Sequence, residues 1–200
     1  MLLCIDVSPS MGGASMGGGT KADQVYRHIV SEDDGLLQRL HGGANRQSYY
    51  VGAVLFNEAS DLVGIAKLVD DDHGGLMAPP QSAFTPRGDG TALGDALVTA
   101  GEMARAWIDE GEMERIATIV LLTDGQNTTG RQDPLSAATT IRTATTRHDQ
   151  LGRDVITIAT AAYGQQADTD LLQKLASINY NTNIPFFEVV EHGAALRDFL

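Results

Sequence analysis

The sequence has little cysteine, little positive charge and no long apolar run, and each shortage excludes a class of protein. The one cysteine, Cys4, cannot form a disulfide within the chain, and its apolar neighbours indicate a small core residue in a reducing compartment. Lysine and arginine number 14 against 26 acidic residues, which gives a formal net charge of −12. Without a basic stripe to release counterions, neither nucleic acid nor an anionic membrane surface is an expected partner. Cationic partners and bound metal ions fit the charge better.

Segments that would mark a membrane or secreted protein are also missing. The chain has no apolar stretch of about 18 residues and no basic segment followed by an apolar core, the pattern that begins a signal peptide. We therefore expect a cytoplasmic protein without a membrane span. The length of 200 residues, of which 42% are hydrophobic, predicts one domain over residues 1–200 with a core large enough for three layers.

Apolar runs of strand length alternate with amphipathic stretches of helix length, and this alternation predicts an α/β fold. Continuous apolar runs are typical of a doubly wound, mostly parallel sheet covered by helices on both faces. The strand at 60–69 follows its neighbour too closely for a crossover helix, so we expect it to be an antiparallel edge. Pro185 is expected to begin the last strand, where no ladder donor is needed. In all, six strands are predicted, at 2–7, 48–56, 60–69, 116–123, 154–163 and 185–190.

Five helical segments are predicted, at 21–40, 93–108, 134–150, 168–177 and 193–199. In the second of these, apolar residues recur every three or four positions and form one stripe. The first has a similar pattern that is interrupted at 32–35, which favours two shorter helices. Asp133 and Pro134 are a good N-cap and first-turn residue for the third, although its many threonines weaken helix propensity.

Two loops, 10–20 and 70–91, are longer and richer in turn residues than a connection demands, which is typical of a functional edge. The first of them begins beside three oxygen-bearing side chains, Asp6, Ser8 and Ser10. In an extended strand, successive side chains on one face would be about 6.6 Å apart. Two oxygens bound to one Mg²⁺ are at most about 4.2 Å apart. Sharing an ion therefore requires the chain to curl directly after Asp6, and Pro9 favours such a bend.

Further oxygen donors are expected from neighbouring strand ends. Asp124 follows a buried strand in "LLTDG", in the same setting as Asp6, and ligands of an open parallel sheet bind outside the carboxyl ends of its strands. Thr91 lies just before a helix, in "RGDGTALGDAL". Its hydroxyl could face either the first N–H groups of that helix, as an N-cap, or the common site.

The combination of "DVSPS", "GDGTALGDAL" and "LLTDG" resembles the von Willebrand factor A (vWA) domain with a complete metal-ion-dependent adhesion site. That site has the pattern Asp-x-Ser-x-Ser, a distant Thr and a distant Asp, which Asp6, Ser8, Ser10, Thr91 and Asp124 match in order. The resemblance implies a sheet ordered 3-2-1-4-5-6 with strand 3 as the antiparallel edge. It also implies that the three hydroxyls contact the metal while the two aspartates act largely through water.

The resemblance further implies a protein-binding module and no enzyme. Three neutral hydroxyls and two carboxylates leave a divalent ion, expected to be Mg²⁺ with Mn²⁺ or Ca²⁺ as alternatives, under-neutralised and with an open position. The hypothesis is that an Asp or Glu carboxylate of a partner protein completes the coordination. Within the family, "TALGDAL" and the single-domain length resemble bacterial stand-alone vWA proteins of the tellurium-resistance type, which suggests signalling or stress response, with a kinase or phosphatase as a candidate partner.

Two features depart from the family pattern. Family members commonly have glycine where this chain has Pro9, which removes an N–H and fixes φ between the two serines, so a stiffer site is expected. The glycine-rich expansion at 12–19 and the length of the loop at 70–90 are also unusual, and both bear on the rim of the site.

Two other functions compete with this hypothesis. A haloacid-dehalogenase-like phosphatase also binds Mg²⁺ through an Asp after its first strand, but two residues later it needs a second Asp as acid and base, where this chain has Ser8. A metal-free structural vWA scaffold has no need of all five oxygens. The glycines after the first strand match neither nucleotide-binding pattern. Asn127 and Thr128 are predicted to line the rim, and the acidic run at 70–73 to be solvated surface. Asp89 and Asp95, which flank Thr91, could orient waters or the loop, although acids at a helix start are common for dipole reasons alone.

Overall fold

The computed structural model describes residues 1–14, 18–31, 35–44, 48–67, 79–111, 115–143, 155–164, 167–190, 195 and 199. These described residues form eight strands: β1 (Leu2–Asp6), β2 (Tyr50–Phe56), β3 (Ser60–Lys67), β4 (Ala117–Thr123), β5 (Ile156–Tyr163), β6 (Ile178–Asn179), β7 (Ile184–Pro185) and β8 (Phe187–Val190). Five α-helices are described in full or in part with them: α1 (Lys21–Tyr26), α2 (Leu36–Gly42), α3 (Leu93–Asp109), α4 (Pro134–Thr143) and α5 (Thr169–Leu175). A π turn, Arg27–Ser31, continues α1, and short 3₁₀ turns lie at Pro9–Gly12 and Gln81–Phe84.

The main sheet has the order β3-β2-β1-β4-β5-β8. The five strands from β2 to β8 in this order are parallel, and β3 pairs antiparallel with β2 at one edge. Strand β1 therefore lies between β2 and β4, in the interior of the sheet. Polar side chains at its carboxyl end are surrounded by loops from two neighbouring strands, which is the place where parallel α/β sheets bind ligands.

Helices cover both faces of the sheet because successive residues of a buried strand point to opposite sides. Leu2 and Cys4 of β1 pack with α3, α4 and α5, whereas Leu3 and Ile5 pack with α1 and α2. All four side chains are 2% exposed or less. Burial raises the pKa of the Cys4 thiol far above its usual range, as expected of a core residue rather than a reactive one.

The prediction of an α/β fold with a mostly parallel sheet is confirmed, and the described residues form a six-stranded main sheet with β3 as its antiparallel edge; the sequence did not predict the second, two-stranded sheet. Besides five parallel strands and the antiparallel edge, the chain forms a small antiparallel pair, β6 and β7. Pro185 belongs to this pair, where it lies opposite Ile178, and β8 begins only at Phe187. The expected strand at 185–190 is thus two separate strands.

The helix predictions agree with the structure where it describes them. The segment at 21–40 is divided, as predicted: the π turn ends at Ser31 and α2 begins at Leu36, with residues 32–34 outside the described part. The described part of α4 ends at Thr143. The expected segments at 144–150 and 70–73, and most of 193–199, lie outside the described residues. None of the described helices is long and apolar enough to cross a membrane.

Candidate metal site

Asp6 lies at the carboxyl end of the central strand and has no exposed surface. The backbone N–H of Ser8 donates to its Oδ1 over 2.8 Å, and the hydroxyl of Thr123 on β4 donates to its Oδ2 over 2.6 Å. Burial raises the pKa of Asp6, and the nearby Asp124 carboxylate raises it further. The hydrogen bonds from Ser8 and Thr123 oppose this rise because they favour the charged form. Asp6 is thus a buried carboxyl group, and a nearby cation would stabilise its charged form.

The chain curls directly after Asp6, as sharing an ion would require. Residues Pro9–Gly12 form a 3₁₀ turn in which the Met11 N–H donates to the Ser8 carbonyl over 3.0 Å. Pro9 occupies the first position of the turn, where no N–H is needed, and Met11 is fully buried. The turn brings the hydroxyl oxygens of Ser8 and Ser10 to 3.0 Å from each other. That distance is within the limit of about 4.2 Å for two ligands of one Mg²⁺.

Thr91 is 3% exposed and is held by the loops that follow both neighbours of β1. Its carbonyl accepts from the N–H of Thr128, after β4, and its own N–H donates to the Thr128 hydroxyl. The next N–H, of Ala92, donates to the carbonyl of Asn57, after β2. Because β1 lies between β2 and β4, these bonds place Thr91 at the same edge of the sheet as Asp6.

The alternative role of Thr91, as an N-cap, is wrong. Ala92 is the N-cap of α3 and makes no side-chain cap hydrogen bond. The side-chain oxygen of Asn127 caps the helix instead, accepting from the Leu93 N–H over 3.0 Å. Asn127 and Thr128, which are predicted to line the rim, thus both accept hydrogen bonds from the segment that carries Thr91. Asp95 orients the same loop, since its carboxylate accepts from the N–H groups of 131 and 132.

Asp124 follows β4 and is 4% exposed. Its Oδ2 lies 3.2 Å from the ammonium of Lys21, whereas its Oδ1 is buried without a hydrogen-bond partner in the described part of the chain. Gly125 makes the turn behind it with a φ of +84°, and a Cβ there would lie 2.7 Å from the backbone nitrogen of Asp168. An unpartnered buried carboxylate oxygen is costly, so this atom marks a place for a further positive group.

The donor set fits a hard divalent cation. The structure joins Asp6, Ser8 and Ser10 directly, places Asp124 close enough to raise the pKa of Asp6, and holds Thr91 at the same edge. All are oxygen donors, which suit Mg²⁺, Ca²⁺ and Mn²⁺. Among the described residues, no group of three or more His, Cys, Asp or Glu side chains is arranged to hold a metal, and the candidate set here consists of two carboxylates and three hydroxyls. Ser10 is exposed and opens the set to solvent.

Sequence reasoning missed two residues of this site. Thr123 has a signal in hindsight, because parallel pairing of Ile5 with Leu122 brings the next residues, Asp6 and Thr123, to the same level. Lys21 has no such signal. It is separated from Asp124 by 103 positions, and only the docking of α1 beside the loop after β1 brings the two together.

Comparison with known proteins agrees with this architecture. The family model for the von Willebrand factor type A domain matches residues 1–199. Among proteins with curated descriptions, none matches the chain. Three solved structures that are each less than 25% identical in sequence to this chain share its fold. One is proximal thread matrix protein 1 from the mussel byssus with a zinc-occupied MIDAS motif, with 16% identity, a TM-score of 0.61, and coverage of 100% of this chain and 45% of that one.

Two bacterial structures are similar as well. BatB from Bacteroides thetaiotaomicron has 14% identity and a TM-score of 0.62, with coverage of 99% of this chain and 95% of that one. The pilus adhesin SpaC from Lactobacillus rhamnosus GG has 13% identity and a TM-score of 0.67, with coverage of 99% and 29%. The chain thus spans less than half the length of the mussel protein and of the adhesin. The family match over residues 1–199 shows that the chain belongs to the von Willebrand factor type A domain family.

Proposed function

We propose that this chain is a protein interaction module that depends on a divalent cation. Asp6, Ser8, Ser10, Thr91 and Asp124 hold the ion, which we take to be Mg²⁺, with Mn²⁺ or Ca²⁺ as alternatives. The observation that carries the proposal is the pair of Ser8 and Ser10 hydroxyls, 3.0 Å apart beside a buried aspartate. A mussel byssus protein of the same fold is described with a zinc-occupied MIDAS motif, which supports a divalent cation here.

Charge explains what such a site would recognise. The bound cation supplies a Lewis-acidic centre that two carboxylates and three neutral hydroxyls leave incompletely coordinated. The exposure of Ser10 puts the opening of the site at the protein surface. A partner's Asp or Glu carboxylate at this opening gains a charge-assisted contact that the rest of the acidic surface, at a net charge of −12, does not offer. Recognition therefore depends on the metal.

We propose no catalysis at this site. A haloacid-dehalogenase-like phosphatase would need an acid or base two residues after Asp6, and the hydroxyl of Ser8, hydrogen-bonded to Ser10, does not supply one at neutral pH. In a metal-free scaffold, the buried Oδ1 of Asp124 would stay without a partner among the described residues, which is costly. We further propose that residues 1–200 work as one domain in the bacterial cytoplasm. The resemblance to tellurium-resistance-type proteins supports a role in signalling or stress response, with a kinase or phosphatase as a candidate partner.

A binding experiment with a metal control tests the proposal. The immobilised chain is incubated with bacterial lysate in 5 mM Mg²⁺, in excess EDTA, and in Mg²⁺ with about 50 mM acetate as a competing carboxylate, each at the same salt concentration. We expect specific partners to be retained in Mg²⁺ and lost in EDTA, and acetate to weaken their retention. Dissociation constants of the purified partner then give the metal dependence directly.

The matched variant is Ser8→Ala/Ser10→Ala, which removes two hydroxyls and no charge. Because neither change alters the buried carboxylates, we expect the variant to fold and to lose partner binding in Mg²⁺. Partner binding that is equal in Mg²⁺, in EDTA and in the double variant would refute a metal-dependent interaction.

A further inference from the structure

The candidate metal site already contains a positive group of the protein itself. The ammonium of Lys21 lies 3.2 Å from Oδ2 of Asp124, and the two side chains are 17% and 6% exposed. Such a pair is mostly removed from solvent, so its electrostatic interaction is screened less than that of a surface pair. Lys21 lies at none of the five positions of the family's metal-site pattern.

Several local features hold Lys21 in this position. Its backbone N–H donates to the carbonyl of Gly13 over 3.0 Å, which fastens the start of α1 to the loop after β1. Thr20 and Asp23 form a reciprocal capping box around it. The end of its side chain passes close to Gly164 at the end of β5, where a Cβ would lie 3.4 Å from Cε and 3.6 Å from Nζ. These contacts fix both the backbone and the side chain of Lys21 beside Asp124.

The charges explain why the site would need such a group. Asp6 and Asp124 are both buried, and the charge of Asp124 is close enough to raise the pKa of Asp6. Two buried carboxylates without a cation repel each other and lack solvation. The single charge of Lys21 offsets part of this repulsion. A divalent cation near Asp124 would do the same and would be repelled by the ammonium.

We propose that Lys21 is a tethered counter-ion of the metal site. It neutralises Asp124 and keeps the site formed while no metal is bound, and it leaves Asp124 when the site takes up a divalent cation. This inference rests on the proposed metal site. Its consequence is that Lys21 lowers the affinity for the metal and stabilises the metal-free protein, so one residue sets the balance between the two states.

Metal titration of a lysine variant tests the proposal. Lys21→Met keeps most of the apolar stem and removes the charge, and Lys174→Met removes an exposed lysine on α5. Each variant changes the net charge from −12 to −13 by the loss of one positive charge, so the general attraction for cations is matched. Calorimetry with Mn²⁺ is expected to give at least about tenfold tighter binding for Lys21→Met, and wild-type affinity for Lys174→Met. Lys21→Arg, which keeps the charge, is expected to stay near the wild-type value.

A second readout covers the metal-free state. The melting temperature of Lys21→Met in EDTA is expected to fall below that of wild type and of Lys174→Met, and to recover in saturating Mn²⁺. Equal or weaker Mn²⁺ binding by Lys21→Met, while wild type binds, would overturn the counter-ion and leave the metal site standing. Absence of Mn²⁺ binding in wild type and in every variant would overturn both. If Lys21→Met fails to fold, Lys21→Gln, which retains a donor toward Asp124, is measured with the same criteria.

Discussion

Thr123 joins the two strands that carry the aspartates. Its hydroxyl donates to Oδ2 of Asp6 and accepts from the N–H of Gly125, the residue that turns the chain behind Asp124. One buried hydroxyl thus fixes the direction of one carboxylate and the path of the loop that carries the other. Groups that orient metal ligands affect metal affinity although they do not contact the metal.

Replacing this hydroxyl is predicted to weaken both the fold and the site. In Thr123→Val, Oδ2 of Asp6 loses its donor while it stays buried, which costs about 1 to 3 kcal/mol. Urea unfolding in EDTA measures this loss of stability, and Mn²⁺ affinity is expected to fall about 10- to 100-fold. Thr118→Val, a change on the same strand at a half-buried position, is the control and is expected to alter neither quantity by as much. Equal effects of the two changes would contradict this role of Thr123.

Gly125 offers a second prediction at a single residue. Its φ of +84° disfavours any side chain, and a Cβ would also meet the backbone of Asp168 at 2.7 Å. Gly18 has nearly the same φ, +83°, but no atom of the described residues beyond its chain neighbours lies within 4 Å of the position of a Cβ. We expect Gly18→Ala to cost about 1 kcal/mol from backbone strain, and Gly125→Ala to cost at least about 2 kcal/mol more from the clash. Urea unfolding of the two variants compares them, and similar losses would show that the contact with Asp168 is unimportant.

The five candidate oxygen donors could be predicted from the sequence because each stands beside a recognisable strand end or helix start. Thr91 illustrates the limit. Its sequence position allowed an N-cap, and only tertiary contacts decide between the roles, since Asn127 caps α3 from a loop 34 residues away. Lys21 shows the same limit, because a long-range pair depends on how two elements dock.

At the scale of elements, α1 is the part whose placement the site depends on most. It has only six residues before the π turn, and its stability as a helix comes from its start and its buried side. The Thr20 side chain accepts from the Asp23 N–H, and the Asp23 side chain accepts from the Thr20 N–H. This capping box fixes the first turn, which contains Lys21.

Removal of the capping carboxylate is predicted to destabilise the protein in a pH-dependent way. The hydrogen bonds from Thr20 lower the pKa of Asp23 below its usual value. A carboxyl group whose pKa is lower in the folded than in the unfolded protein stabilises the fold at pH values above its unfolded pKa, about 3.9 for Asp. This stabilisation is lost as the pH falls through the pKa of the folded state. We expect Asp23→Ala to cost about 1 kcal/mol at pH 7, and the difference from wild type to shrink as the pH falls below about 4. Urea unfolding between pH 7 and pH 3.5 checks this, and a difference that grows on acidification would contradict it.

Helix α4 shows which elements can be predicted and why others escape prediction. Its threonines disfavour a helix, yet the hydroxyls of Thr139, Thr140 and Thr143 donate to carbonyls four residues back, and Asp133 caps the N-terminus as expected. Pairing of two-residue strands such as β6 and β7 carries no hydrophobic period. The position of Pro185 in that pair therefore could not be read from the sequence.

At the scale of the whole molecule, the net charge of −12 attracts divalent cations to the surface as well as to the site. High salt distinguishes binding at the surface from binding at the buried site. The Debye length is about 3 Å in 1 M salt, so interactions between exposed charges are screened, whereas those of buried groups are screened much less. The alternating packing of β1, with helices against each face, makes the site part of the central core. Metal binding is therefore expected to stabilise the fold as a whole.

Melting experiments measure this coupling. At a free Mn²⁺ concentration of about 100 times the dissociation constant, linkage predicts about 2.7 kcal/mol of stabilisation. For a chain of this size that is a rise in melting temperature of roughly 5 to 10 °C, retained in 0.5 M NaCl. Ser8→Ala/Ser10→Ala is expected to show little of this rise. A rise that is the same in the double variant, or that disappears in salt, would assign it to surface binding.

Five separated side chains are proposed to converge on one divalent cation. The most direct measurement is an anomalous difference map, at the manganese absorption edge, from crystals grown with Mn²⁺. We expect one strong peak per chain within coordination distance of the Ser8 and Ser10 hydroxyls, with Thr91, Asp6 and Asp124 around it. A map with no peak among these oxygens, while Mn²⁺ is bound elsewhere on the chain or not at all, would contradict it.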